Sequence, residues 1–177
     1  MDIWREIEAD AERGARRLVA ECGDRLFAAA IMLCRDRAAA EDLVFRTLAL
    51  AVRRICQYSE CAPFYSWLYS ILLNLHRSDA RKMKAEVLET GEIRDDFSPV
   101  WSDIGDPVAP DEATAVREAV RRLPSPFRET VVLRYFEDRS LSEIAEMTSV
   151  PIGTVKSRLK RAQWRLNELL SGVFGNS

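Results

Sequence analysis

The fold class this sequence predicts is all-α, with two small helical domains joined by an acidic flexible linker. Three observations carry that prediction. Apolar residues recur at helical spacing, and no window alternates with a period of two for long. The chain has 177 residues, 47% of them apolar, enough to bury a core in one domain or in two small ones. Charge is distributed unevenly: residues 1–85 carry 14 basic and 12 acidic side chains, residues 86–118 carry 2 and 10, and residues 119–177 carry 10 and 6. The formal net charge of −2 therefore hides an acidic middle between two mildly basic ends.

The first domain is expected over residues 1–87. Leu18, Cys22, Leu26, Ala29, Ala30 and Leu33 form one helical stripe, and Leu43, Val44, Leu48, Ala51, Val52 and Ile55 a second, on a helix from about Ala39 to Arg54. After a loop at Gln57-Tyr58-Ser59-Glu60-Cys61-Ala62-Pro63, a third stripe runs through Phe64, Trp67, Leu68, Ile71, Leu72 and Leu75. Short breaks between stripes favour a compact antiparallel bundle. Residues 88–111 hold Gly91, Pro99, Gly105, Pro107 and Pro110 among scattered acids, and read as a linker. The second domain follows over residues 112–177. One helix is expected from about Asp111 to Leu123, where Leu123-Pro124 and Pro126 stop it, and another from about Pro126 to Phe136.

The chain then offers a helix-turn-helix. Ser140-Leu141-Ser142-Glu143 fits a capping box, in which the Ser140 hydroxyl and the Glu143 carboxylate each accept from the other residue's free backbone amide. Leu141, Ile144 and Ala145 face inward. Past a turn at Thr148-Ser149-Val150, Pro151 suits a first helical turn, and Val155, Leu159, Ala162 and Leu166 form the buried stripe of a second helix. Its other face presents Gly153, Thr154, Lys156, Ser157, Lys160, Arg161 and Arg165, and between Gly153 and Arg165 five basic residues stand against no acid. A basic amphipathic helix alone is often only a solvated face. Joined to a capping box, the small Ala145 and a short turn, it suits the major groove of DNA.

Several functions are disfavoured. The unbroken apolar stretches, such as Phe27 to Leu33 and Ile71 to Leu73, fall far short of the roughly 20 residues a membrane span needs. Asp2, Glu6, Glu8 and Asp10 crowd the place where a secretion leader would be basic, so a cytoplasmic location is expected. Cys22, Cys34, Cys56 and Cys61 form no CxxC pair and His76 is the single histidine, which speaks for reduced thiols and against a zinc site. With no Gly-rich phosphate loop, no nucleophile beside a base and no paired metal ligands, an enzyme is not expected and no cofactor is called for.

The motifs Leu123-Pro124, Leu133-Arg134-Tyr135-Phe136, Leu141-Ser142-Glu143-Ile144-Ala145 and Gly153-Thr154-Val155-Lys156-Ser157-Arg158-Leu159 with Arg161-Ala162 resemble region four of extracytoplasmic-function RNA polymerase sigma factors. The resemblance spans about residues 119–170. It implies that this domain reads the minus-thirty-five promoter element through Gly153, Thr154, Lys156, Ser157, Lys160 and Arg161, with Arg134 approaching from the preceding helix. One departure is Ser149, standing where the family usually has Gly in the turn, and a serine at positive φ carries a cost.

Ala40-Glu41-Asp42-Leu43-Val44, Trp67-Leu68-Tyr69-Ser70-Ile71, Asn74 and Arg81 resemble region two of the same family, over roughly residues 15–85. That resemblance implies docking of the Ala39–Arg54 helix on the clamp helices of the polymerase beta-prime subunit, with Asp42, Arg46, Arg53 and Arg54 as contacts. The loop at 57–63 would capture an unstacked base of the minus-ten element, with Tyr58 as its stacking residue and Asn74, Arg77 and Arg81 touching DNA from the next helix. For Phe64 and Trp67, core packing is the expected role. Phe45 stands where the family usually has Gln and Ser78 where it usually has Asp, so neither role carries over; an outward Phe45 would be an apolar contact. The resemblance further implies core RNA polymerase, including its beta flap, promoter DNA and an anti-sigma factor as partners, and a linker threading the RNA exit channel. A free-standing helix-turn-helix repressor or activator would also explain the last 60 residues, although no heptad seam for dimerisation is present. A sigma-like interaction module without promoter activity is a third reading, motivated by Phe45 and Ser78.

Overall fold

The computed structural model describes residues 2–34, 36–90 and 112–174, in which every regular element is helical. Two compact units are present, one built mainly of the helices before residue 91 and the other mainly of those after residue 111, with Met32–Asp36 grouped with the second. The acidic segment read as a linker lies, from residue 91 onward, outside the described residues.

The first unit contains four helices: α1 (Ile3–Ala9), α2 (Ala11–Leu33), α3 (Arg37–Arg53) and α4 (Phe64–Thr90), with a 3₁₀ turn at Ile55–Gln57. Helix α4 continues three residues past the domain end expected at residue 87. The core draws on the three expected stripes through Leu18, Leu26 and Ala30 of α2, Leu43 and Ala51 of α3, and Leu68 and Leu72 of α4, all buried. It adds the buried Ala40, Thr47, Tyr69 and Leu73, which those stripes did not include, while Leu48, Val52, Ile55, Phe64, Trp67 and Leu75 of the expected stripes are half-buried. Thr47 is tolerated there because its hydroxyl donates to the Leu43 carbonyl at 2.7 Å.

Helix α1 was not expected from the sequence. The Asp10 carboxylate accepts from the Glu12 and Arg13 amides at 3.1 Å, which starts α2 and separates it from α1. Gly14 then lets the two helices approach, because a Cβ there would lie 2.5 Å from the Ile7 backbone. The buried Glu6 carboxylate is held by Arg13 at 2.7 Å and by Arg17 at 2.8 Å. The Arg17 hydrogen bond is the main cause that keeps its pKa below the usual carboxylate range, against the opposing effect of burial.

The second unit contains α5 (Glu112–Arg122), α6 (Ser125–Val131), α7 (Leu141–Thr148) and α8 (Ile152–Phe174). Ala119, Val120, Leu123, Val131, Val132, Leu133, Ile144, Val155 and Ala162 are buried and form its core. Pro124 begins a new helical start, as expected, with the Phe127 and Arg128 amides bonded to its carbonyl. The predicted single helix to Phe136 instead widens into a π turn at Val132–Phe136, where the Glu137 amide reaches back five residues to the Val132 carbonyl at 3.0 Å. No helix among the described residues is long and apolar enough to cross a membrane.

Candidate nucleic-acid interface

Both reciprocal bonds of the capping box form: the Glu143 amide donates to Ser140 Oγ at 3.2 Å and the Ser140 amide to Glu143 Oε2 at 2.9 Å. The Ser140 hydroxyl is the first cause that holds the Glu143 pKa low. At the other end of α7, Ser149 sits in the left-handed region at φ 54°, and the Val150 amide closes on the Ala145 carbonyl at 3.1 Å. The chain therefore reverses over Ser149–Pro151, and the Pro151 carbonyl accepts from the Thr154 and Val155 amides to open α8.

Helix α8 buries Val155 and Ala162 and leaves Gly153, Lys156, Ser157, Lys160 and Arg161 exposed, with Thr154 half-buried. A Cβ at Gly153 would meet nothing within 4 Å, so the start of the helix is open to a close-approaching ligand. Ser157 donates to the Thr154 carbonyl at 2.9 Å. Arg134 is half-buried in the π turn and donates to the Arg139 carbonyl at 2.9 Å, which anchors the guanidinium beside the loop that leads into α7. Arg165 lies over the Phe127 ring, 5.7 Å from its centroid, and so turns back onto its own unit.

In the first unit, α3 presents Asp42, Phe45, Arg46 and Arg53 at i, i+3, i+4 and i+11, one helical face, with Arg54 exposed just beyond its end. Phe45 is 72% exposed in the middle of that face. Arg46 is not free on it: the guanidinium pairs with Asp42 at 2.7 Å and makes a two-pronged contact with Asp79 of α4. It is thus first a tie between two helices, a consequence of tertiary packing that a helical-face argument does not contain. Asn74, Arg77 and Arg81 share a face of α4 at i, i+3 and i+7, with Asn74 and Arg81 exposed and Arg77 half-buried.

Tyr58 departs most from expectation. Its ring is held edge-on to Trp4 at 5.8 Å and Phe64 at 5.2 Å, tilted against Trp67 at 5.4 Å, and its hydroxyl donates to the Ala62 carbonyl at 2.8 Å. The ring expected to stack on a base is occupied by protein aromatics in this conformation. Trp4, which no sequence motif singled out, also lines an open cleft of about 600 Å³ together with Arg17, Tyr58, Glu60, Cys61 and Phe64. Its position with Ile3 and Ile7 on α1 was the available signal. Among the described residues no cluster of His, Cys, Asp and Glu could hold a metal ion.

Residues 113–166 match the family described as Sigma-70, region 4. The ECF RNA polymerase sigma factor EcfG of Rhodopseudomonas palustris is 32% identical over 145 residues, covering 82% of this chain and 78% of that protein. The ECF RNA polymerase sigma factor SigW of Bacillus subtilis is 29% identical over 140 residues, covering 74% and 75%. Among solved structures, the sigma factor RpoE of Bartonella quintana, determined in complex with the anti-sigma factor NepR, superposes with a TM-score of 0.74 at 28% identity, covering 88% of this chain and 96% of that one.

Proposed function

The chain belongs to the extracytoplasmic-function RNA polymerase sigma factors and directs promoter-specific transcription initiation, and from that premise we propose how its two units divide the work. The first unit docks the outer face of α3 on the beta-prime clamp helices, through Asp42, Arg53 and Arg54 around the exposed Phe45. Phe45 contributes apolar area where a polar side chain would make a hydrogen bond. The same unit presents the 57–63 loop and the Asn74, Arg77 and Arg81 face to the minus-ten element. The second unit lays α8 in the major groove of the minus-thirty-five element, with Gly153, Thr154 and Ser157 near base edges and Lys156, Lys160 and Arg161 on phosphates.

The exposed, acid-free face of α8, set by a capped helix and a left-handed turn, is the observation that carries this reading. The relatives' match extends over 82% of the chain, beyond the helix-turn-helix that a free-standing repressor would share. The protein's part is binding: capture of unstacked bases offsets a cost of a few kcal/mol, and no covalent step is asked of its side chains. An anti-sigma factor is the partner that would hold the chain inactive, by analogy with the Bartonella complex.

The test is reconstitution with core RNA polymerase and sequencing of run-off transcripts from the source genome. Transcripts that share upstream motifs and vanish in a Lys156→Ala, Arg161→Ala chain are the expected result. Tight DNA binding without polymerase, and no transcripts, would overturn it.

A further inference from the structure

Trp164 is 63% exposed on α8, and neither the buried stripe nor the proposed groove-facing residues include it. At 3.6 residues per turn it projects within about 40° of Gly153, Ser157 and Lys160, and roughly opposite Val155 and Ala162. It therefore continues the centre line of the acid-free face one turn beyond Lys160. The side chains around it, Lys160, Arg161, Gln163, Asn167 and Glu168, are polar, so Trp164 belongs to no apolar patch of the kind that marks a protein-docking surface. Glu168, one turn further on, is the first carboxylate after the start of the helix and marks where the surface stops suiting a polyanion. Arg165 is drawn back over Phe127, which leaves Trp164 as the last large outward side chain near the centre line of that face before the acid.

The reach along the helix says what Trp164 would meet. It lies about 16 Å along the axis from Gly153, at 1.5 Å per residue, whereas the major groove is about 12 Å wide. A helix whose first turn faces base edges has by then reached the wall of the groove. On the reading that α8 lies in that groove, we propose that Trp164 anchors the helix to the DNA backbone, its indole N–H donating to a phosphate oxygen and its ring lying along the neighbouring deoxyribose. Charge complementarity commits the face to a polyanion, and an indole donor adds a directed hydrogen bond without reading sequence.

The experiment uses the full chain in complex with core RNA polymerase on promoter DNA in which single phosphates along the upstream element are replaced by neutral methylphosphonates. Trp164→Ala is expected to weaken promoter affinity about tenfold, the scale of a hydrogen bond to a charged group, and equally across variants of the upstream sequence. One methylphosphonate position should cost the parent chain affinity and cost Trp164→Ala nothing further, and Trp164→Phe should recover part of the loss. Unchanged promoter affinity, additive losses at every phosphate, or a loss that falls on core-polymerase binding instead would each overturn the assignment. Lys156→Ala separates the two levels. If it too leaves promoter affinity unchanged, the placement of α8 in the groove falls and Trp164 with it; if it weakens binding while Trp164→Ala does not, only the role of Trp164 falls.

Discussion

Individual side chains in this protein are often tied down before they can be used. Arg46 lies on the face of α3 expected to meet the polymerase, yet its two-pronged contact with Asp79 joins α3 to α4. That contact is the first cause holding the Asp79 pKa below the ordinary aspartate range, against its partial burial. A folded pKa below the unfolded one means that the unfolded chain binds more protons between the two values. The stabilisation is therefore complete above the ordinary aspartate range and disappears as pH falls through the folded value. Asp79→Asn is expected to cost about 1 kcal/mol at neutral pH, a figure limited by solvent screening, and to flatten the acid side of a stability profile followed by urea denaturation. Ser149 shows the opposite case, a residue whose backbone is strained. At φ 54° it occupies a conformation that glycine adopts freely. Ser149→Gly should raise stability by about 0.5–1 kcal/mol, read as a higher midpoint of thermal unfolding, because relief of the left-handed strain exceeds the added entropy of the unfolded chain.

At the level of elements, close approach between neighbours decides what each helix can present. Helix α1 is only seven residues long, too short to persist alone in water, and owes its existence to Gly14 and to the pairing of Glu6 with Arg13 and Arg17. Gly14→Ala would place a Cβ against the Ile7 backbone, so amide hydrogen exchange over residues 3–9 should accelerate sharply while α3 stays protected. Equal protection in both chains would show that α1 does not depend on this contact. Because Trp4 rides on α1 and packs against Tyr58, the same substitution should free the Tyr58 ring. Helix α8, by contrast, is bounded by its own sequence: Pro151 opens it, the capped α7 precedes it, and its polar face needs no neighbour to be legible.

For the whole molecule, the proposed arrangement makes promoter binding an electrostatic event shared between two DNA-reading units. Removing one phosphate-binding side chain should lower the slope of log affinity against log salt concentration by about 0.9. Arg161→Ala in the reconstituted holoenzyme is therefore expected to weaken binding to all promoters alike and to flatten that slope by the same amount. An unchanged slope would place Arg161 off the backbone.

The helical class, the three stripes of the first unit, the helix-turn-helix and its capping box were all legible in the chain. They depend on periodicity and on bonds between residues three to five apart, which sequence order states directly. The exposed face of α8 was legible for the same reason: once Val155 and Ala162 are known to be buried, the opposite side of a single helix follows by rotation. Helix α1, the enclosure of Tyr58 by Trp4, Phe64 and Trp67, the Arg46–Asp79 tie and the π turn before Arg139 were decided only in three dimensions. Three of these join residues of different elements, some of them far apart along the chain, and the fourth is a local widening of a helix that composition does not mark. Sequence alone thus determined which surfaces exist, through local periodicity, while tertiary packing decided which side chains on them remain free, because a partner distant along the chain claims a group only once the fold has closed.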